Sequence, residues 1–148
     1  MAIQFGVQIY LVDPDGKIAV YRRCGGHSIG CYEVPAGKHE RTDGSMARTA
    51  TRECKEETGL TIDVDRFKFL FSTTIPAVNS STPNTTWNTY VYEVRLTEDE
   101  IPKLVEHRTH DEMEMMDPTD LSDLDKTLVF SVSEAMLAVL TEHDHTKG

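Results

Sequence analysis

The 148-residue chain reads as an α/β (α+β) fold, a mixed β-sheet between helices in one domain spanning residues 1–148. Three observations predict it. Runs rich in β-branched and aromatic residues flank the chain's middle, Ser45 to Thr58 lacks proline and glycine, and apolar residues recur at helical spacing after Ser131. The order is therefore strands, helix, strands, helix.

Phe5 to Val12 is the first strand, and Asp13-Pro14-Asp15-Gly16 is a strong turn signal. Lys17 to Arg23 returns as a second strand, so the two form a hairpin. Cys24 to Gly30 is a glycine-rich loop, and Tyr32-Glu33-Val34 is a short extended piece that Pro35 stops. Ala, Arg, Glu, Lys and Met dominate Ser45 to Thr58, a helix by propensity, with Gly59 at its C-terminal stop. Thr61 to Ser72 and Thr86 to Leu96 read as strands, separated by a polar loop from Pro76 to Pro83. Leu96 to Asp111 is acidic and shows no clear period. Glu112 to Met116 is extended and leads through Pro118 to a helical turn ending near Leu124. A last helix, capped by Ser131 or Ser133, carries Ala135, Met136, Val139 and Leu140 on its apolar face.

Hydrophobic residues at 39% and charged residues at 27% describe a globular chain. A net charge of -10 argues against a protein that wraps nucleic-acid polymer, which needs an excess of cations. Phosphorylated small molecules stay open, because bound ions and a few placed cations attract them locally. No apolar run is long enough for a membrane span, and the N-terminus lacks the basic and apolar regions of a signal peptide. Cys24, Cys31 and Cys54 have no zinc-type spacing, so free thiols and a cytoplasmic location are expected.

The chemistry lies in Arg52-Glu53-Cys54-Lys55-Glu56-Glu57-Thr58-Gly59-Leu60. Glu53 and Glu57 stand one helical turn apart on one face, with Glu56 beside them. Like charges so placed repel, and the macrodipole disfavours anions near a helix C-terminus. Either full solvation or a compensating cation must offset this. Hard oxygen ligands at this spacing suit Mg2+, with Mn2+ as the alternative. An ordinary solvated Glu-Lys face is the competing reading.

The context decides between them. Gly37, then a loop, then Arg52 to Leu60 resembles the Nudix box of hydrolases acting on nucleoside-diphosphate-linked compounds, G-x5-E-x7-R-E-U-x-E-E-x-G-U, where U is bulky and apolar. Cys54 takes the first apolar position, and Tyr32, Pro35 and Gly37 resemble the family's approach to the box. One feature departs: Asp43 follows Gly37 at the glutamate spacing, but eight residues separate it from Arg52, and counting back from Arg52 reaches Gly44. Either the loop has one extra residue with Asp43 substituting, or the first acidic site is lost.

The resemblance implies a Nudix-type α/β/α sandwich of the MutT-like kind. It implies that Glu53, Glu56, Glu57 and the Gly37 carbonyl bind the divalent ions and that Arg52 orients the carboxylates. Water then attacks one phosphorus of the diphosphate while the ions offset developing charge. Glu53 is a candidate base; in relatives a later loop supplies it, and Glu112 comes first there, ahead of Glu106 and Asp111. Arg22 and Arg23 are placed to meet substrate phosphates; strand alternation points only one of them into the cleft, Arg23 being favoured, with an exposed edge-strand charge as the competing reading. Trp87 and Tyr90 can stack on a base. Met115 stands where relatives often have tryptophan, and core packing is the simpler account of it. Substrates of this class include nucleoside triphosphates, nucleotide sugars and dinucleoside polyphosphates, the first fitting the short chain best. Many relatives dimerise, which leaves a homodimer open. The rival reading is a Nudix fold that binds a nucleotide or protein without hydrolysis. An acidic calcium-binding or scaffold protein lacks support, because no EF-hand pattern is present.

Overall fold

The computed structural model describes residues 2–26, 29–77, 83–118 and 120. Among them are seven strands of one mixed sheet and one α-helix. The strands are β1 (Ala2–Val12), β2 (Ile18–Arg23), β3 (Tyr32–Glu33), β4 (Ala36–Lys38), β5 (Lys68–Ile75), β6 (Thr85–Arg95) and β7 (His110–Met116); the helix α1 is Met46–Thr58. The sheet runs β3-β2-β1-β6-β5, with β4 pairing β1 and β7 pairing β2.

β1 is central. It pairs β6 in parallel from Ala2↔Thr85 to Val12↔Arg95. Both its faces are buried: Val7, Ile9 and Leu11 pack with Ala50 and Cys54 of α1, whereas Tyr10 and Val12 pack with Ile18, Val20 and Val91 on the other side. A strand covered on both faces reads as a continuous apolar run, as this one does. β5 pairs β6 antiparallel.

The expected hairpin is present only at its turn. The Asp13 carboxylate accepts the N–H groups of Asp15 and Lys17, both at 2.9 Å, and Val12↔Ile18 is the single β1–β2 pair. Beyond it the strands part, β2 pairing β7 along its length while β4 pairs β1. Residues 32–38 bridge the gap. Tyr32–Glu33 joins β2, the Pro35 carbonyl accepts the Ile9 N–H at 2.8 Å, and Ala36–Lys38 joins β1. Pro35 thus ends one ladder, as expected, but a second begins directly after it.

Ser45 caps α1 by accepting the Arg48 N–H, and Gly59 closes it with φ 78°. The strand expected over Thr61 to Ser72 begins only at Lys68 and runs to Ile75. Asp63 to Phe67 turns instead, with Arg66 N–H donating to Asp63 O at 3.0 Å. Ile62 and Phe67 still reach the core, so their apolar spacing imitated strand alternation while the aspartates favoured a turn. The acidic stretch after Leu96 lacks a period because it serves the helix end: Lys103 N–H donates to Thr58 O at 3.0 Å and Val105 N–H to Glu57 O at 3.4 Å. Asp120 N–H donates to Asp117 O at 3.0 Å, opening the turn expected after Pro118. Its continuation to Leu124, the last helix and most of the Pro76–Pro83 loop lie outside the described residues. No helix among the described residues is long and apolar enough to cross a membrane.

Candidate active site

The loop between β4 and α1 settles what stands at the departure from the box. Arg41–Asp43 forms one 3-10 turn, and Gly44 follows with φ 83°, a conformation that L side chains rarely adopt. This turn accommodates the extra residue and aims Asp43 at α1. Arg52 donates from Nε to Asp43 Oδ1 at 2.7 Å and from Nη2 to Asp43 Oδ2 at 2.9 Å. Asp43 Oδ2 also accepts from the Thr49 hydroxyl and the Glu40 N–H, both at 2.9 Å. These donors hold the Asp43 carboxyl far below the usual carboxylate range, the Arg52 hydrogen bonds contributing most.

Arg52 spends its other donors on the box. Nη1 meets Glu53 Oε1 at 2.9 Å and Glu56 Oε2 at 3.2 Å, and Nη2 reaches the Lys38 carbonyl at 2.9 Å. One guanidinium therefore ties the loop, β4 and two helix carboxylates together. Glu56 is exposed at its tip, whereas the Glu53 side chain is only 13% exposed. Burial raises the Glu53 pKa to about 7 against the pull of Arg52, with Glu56 adding repulsion. Glu57 is raised as well, by burial first and then by Glu53, although its Oε2 accepts the Ala36 N–H at 2.9 Å.

Gly37 lies directly against Glu53, and a Cβ there would overlap the carboxylate. Gly6 opposite matters similarly, since a Cβ on it would stand 3.0 Å from the Gly37 carbonyl oxygen. Two buried, mutually repelling carboxylates, one of them packed on Gly37, are hard-oxygen donors of the kind that fits Mg2+ or Mn2+. Among the described residues no three acidic, His or Cys groups converge as a ready cage. Arg52 and the Ala36 N–H hold the carboxylates meanwhile.

A cleft of about 250 Å³ opens where β1 and β2 part. Its lining includes Ala36, Gly37 and Glu57, Gln8 and Trp87, and Arg23, Glu33 and His110. Arg23, the favoured one of the two arginines, thus lines the cleft. Arg22 points to the face away from α1, where it pairs with Asp111 at 2.9 Å and Glu112 at 3.2 Å. Neither Arg22 nor Glu112 lines the cleft, and Glu106 is exposed with its Oε1 accepting the Arg108 N–H at 3.2 Å. A β-bulge between Arg22 and Arg23 offsets Glu112 from the cleft and sets His110 beside it. Trp87 lines the cleft, while Tyr90 packs against Phe69 with ring centroids 5.8 Å apart.

Glu33 and His110 were not singled out in the sequence. Glu33 carried a weak signal, since it alternates with Val34 in the Tyr-Glu-Val-Pro approach and must face opposite to it. His110 looked like one more polar residue in an acidic loop.

The family model of the NUDIX domain matches residues 3–138. The chain belongs to the NUDIX family. It is a Nudix-type pyrophosphohydrolase, and enzymes of this family hydrolyse nucleoside diphosphate derivatives and generally use a divalent metal. Among solved structures, it is similar to a MutT NUDIX hydrolase from Burkholderia pseudomallei at 25% identity and TM-score 0.68, covering 95% of this chain and 98% of that one. The NUDIX domain of Shewanella oneidensis NrtR, complexed with ADP ribose, has 14% identity and TM-score 0.72, with 100% and 90% covered. A bifunctional NMN adenylyltransferase/ADP ribose pyrophosphatase from Francisella tularensis, complexed with AMP and a Mn ion, has 15% identity and TM-score 0.65. That match covers 98% of this chain and 42% of the other. The last two likenesses concern the fold. No curated protein matches the chain.

Proposed function

We propose that this NUDIX enzyme is a Mg2+-dependent pyrophosphohydrolase that cleaves the diphosphate linkage of a nucleoside triphosphate or a nucleoside-diphosphate-linked compound. The observation that carries this reading is the pairing of buried Glu53 and Glu57 at Gly37, on a cleft that Arg23 also lines.

Glu53, Glu56, Glu57 and the Gly37 carbonyl would hold the ions. Bound there, Mg2+ supplies an activated water and neutralises charge that develops on the phosphate oxygens. Arg52 orients Glu53 and Glu56, and Asp43 in turn fixes Arg52. Glu53 is the box carboxylate proposed to take the proton from water. Arg23 meets a substrate phosphate, and Trp87 flanks the nucleoside. The intact Asp43–Arg52 pair removes the main reason for favouring a module that binds without hydrolysis.

Substrate class is tested by product release from a panel of nucleoside triphosphates, nucleotide sugars and dinucleoside polyphosphates with Mg2+. The reading expects turnover of one class with formation of a nucleoside monophosphate. Binding of panel members, seen as thermal shifts, without any turnover would contradict it.

A further inference from the structure

Part of the cleft lining is built from three polar side chains, Arg23, Glu33 and His110, that share one atom. Glu33 Oε1 accepts from Arg23 Nη1 at 2.8 Å and from His110 Nε2 at 2.6 Å. All three are close to fully enclosed, with side-chain exposures of 11%, 8% and 6% for Arg23, Glu33 and His110. A carboxylate only accepts, so the Nε2 position of His110 carries its proton toward Glu33. The other ring nitrogen, Nδ1, lies 3.0 Å from the Thr109 hydroxyl, which can donate or accept as required.

His110 is the anchored member of the group. It sits on β7 opposite Arg23, the Tyr21 ring meets its edge at a centroid distance of 5.9 Å, and the neighbouring Thr109 carbonyl accepts the Cys24 N–H at 2.8 Å. Arg23 is the member with most freedom to lose, a long side chain at the last residue of β2. A Glu33 carboxylate bonded to Arg23 alone could rotate with it. Bonded to His110 as well, it has one orientation and confers that orientation on the guanidinium, whose Nη2 also donates to the Gly25 carbonyl at 2.9 Å.

We propose that His110 is a positioning residue for Arg23, acting through the shared Glu33 oxygen to hold the guanidinium where a substrate phosphate meets it. This rests on the assignment of Arg23 to substrate above. A buried histidine that merely satisfies its own hydrogen bonds would stabilise the fold without affecting substrate.

The test combines steady-state kinetics, on whichever panel substrate is hydrolysed, with 15N spectra of the arginine guanidinium groups in the metal-free protein, Arg23 being assigned through Arg23→Lys. His110→Leu should raise KM about tenfold and leave kcat within about twofold, the signature of lost uniform binding. The Arg23 Nη resonances should collapse through faster rotation. His110→Gln, whose amide can still donate to Glu33, should restore both. In an Arg23→Ala background His110→Leu should add no further rise in KM. An unchanged Arg23 spectrum in His110→Leu would overturn the proposal, as would a KM effect that persists without Arg23. If His110→Leu fails to fold, His110→Gln against the shorter His110→Asn makes the same comparison. Absence of turnover across the panel would refute the hydrolase reading, while the spectra would still decide whether His110 positions Arg23.

Discussion

Arg52 grips both oxygens of Asp43, from Nε at 2.7 Å and from Nη2 at 2.9 Å, although one extra residue separates the pair relative to the family spacing. The 3-10 turn and Gly44 absorb the insertion, so an aspartate on a loop one residue longer than the box pattern still reaches Arg52. Partners that orient ligating groups typically cost 10–100-fold in metal affinity or activity when removed. Asp43→Asn should therefore lower kcat/KM by about 10–100-fold, measured with saturating Mg2+. An effect below about twofold would mean that Arg52 keeps its place without the ion pair.

The turn makes its own prediction. At φ 83°, Gly44 replaced by alanine should cost on the order of 1–3 kcal/mol, read as a fall in denaturation midpoint. An unchanged midpoint would show that the turn adapts and that the insertion needs no glycine.

Glu53 and Glu57 make stability depend on pH in a set direction. A carboxyl whose folded pKa lies above its ordinary value of 4.5 contributes stability fully present below that value and lost as pH rises through the folded one, about 7 for Glu53. Glu57 is shifted the same way. Glu57→Gln should thus stabilise the metal-free protein, with a Tm gain over wild type that grows between pH 5 and pH 8. Mg2+ should raise the wild-type Tm more at pH 8 than at pH 5. A gain that is flat or shrinks with pH would show that burial and mutual repulsion do not raise the two carboxyls.

Gly37→Ala puts a methyl into the Glu53 carboxylate. Displacement of a reacting group by about 1 Å can cost 10²-fold, so activity should fall by at least roughly that factor. Near-wild-type turnover would place the Glu53 carboxylate elsewhere during the reaction.

An ion pair outside the box has the opposite pH sense. Arg66 donates to both oxygens of Glu100, at 2.6 and 2.7 Å, and its Nη2 also reaches the Arg95 carbonyl at 3.0 Å. The Arg66 hydrogen bonds hold Glu100 at about 2, so its stabilisation is present above 4.5 and lost as pH falls through about 2. Because both side chains are partly exposed, Glu100→Gln should cost about 1 kcal/mol at pH 7, with the difference closing near pH 2 and turnover unaffected. A pH-independent difference would assign the loss to packing.

Much of the site was legible because helix periodicity and charge repulsion act over a few residues. Ser45, the Glu53–Glu57 spacing and Gly59 each followed from local rules. What escaped depended on partners distant in the chain. Pro35 ended one ladder, yet nothing local indicated that Ala36–Lys38 would find β1. The hairpin turn was readable at Asp13, but the parting of β1 and β2 came from β4 and β7 competing for their edges. Glu112 is a candidate base by resemblance to relatives, but a local reading shows neither its pairing with Arg22 nor the bulge that puts His110 at the cleft.

The most direct measurement follows nucleoside monophosphate release from the panel by wild type and Glu57→Gln, with Mg2+ and with EDTA. The account predicts turnover by wild type that requires Mg2+, and loss of about 10²-fold or more in a folded Glu57→Gln, since a buried ligand has been neutralised. Turnover that persists in EDTA, or a Glu57→Gln rate equal to wild type, would contradict the assignment of the box glutamates to the ions.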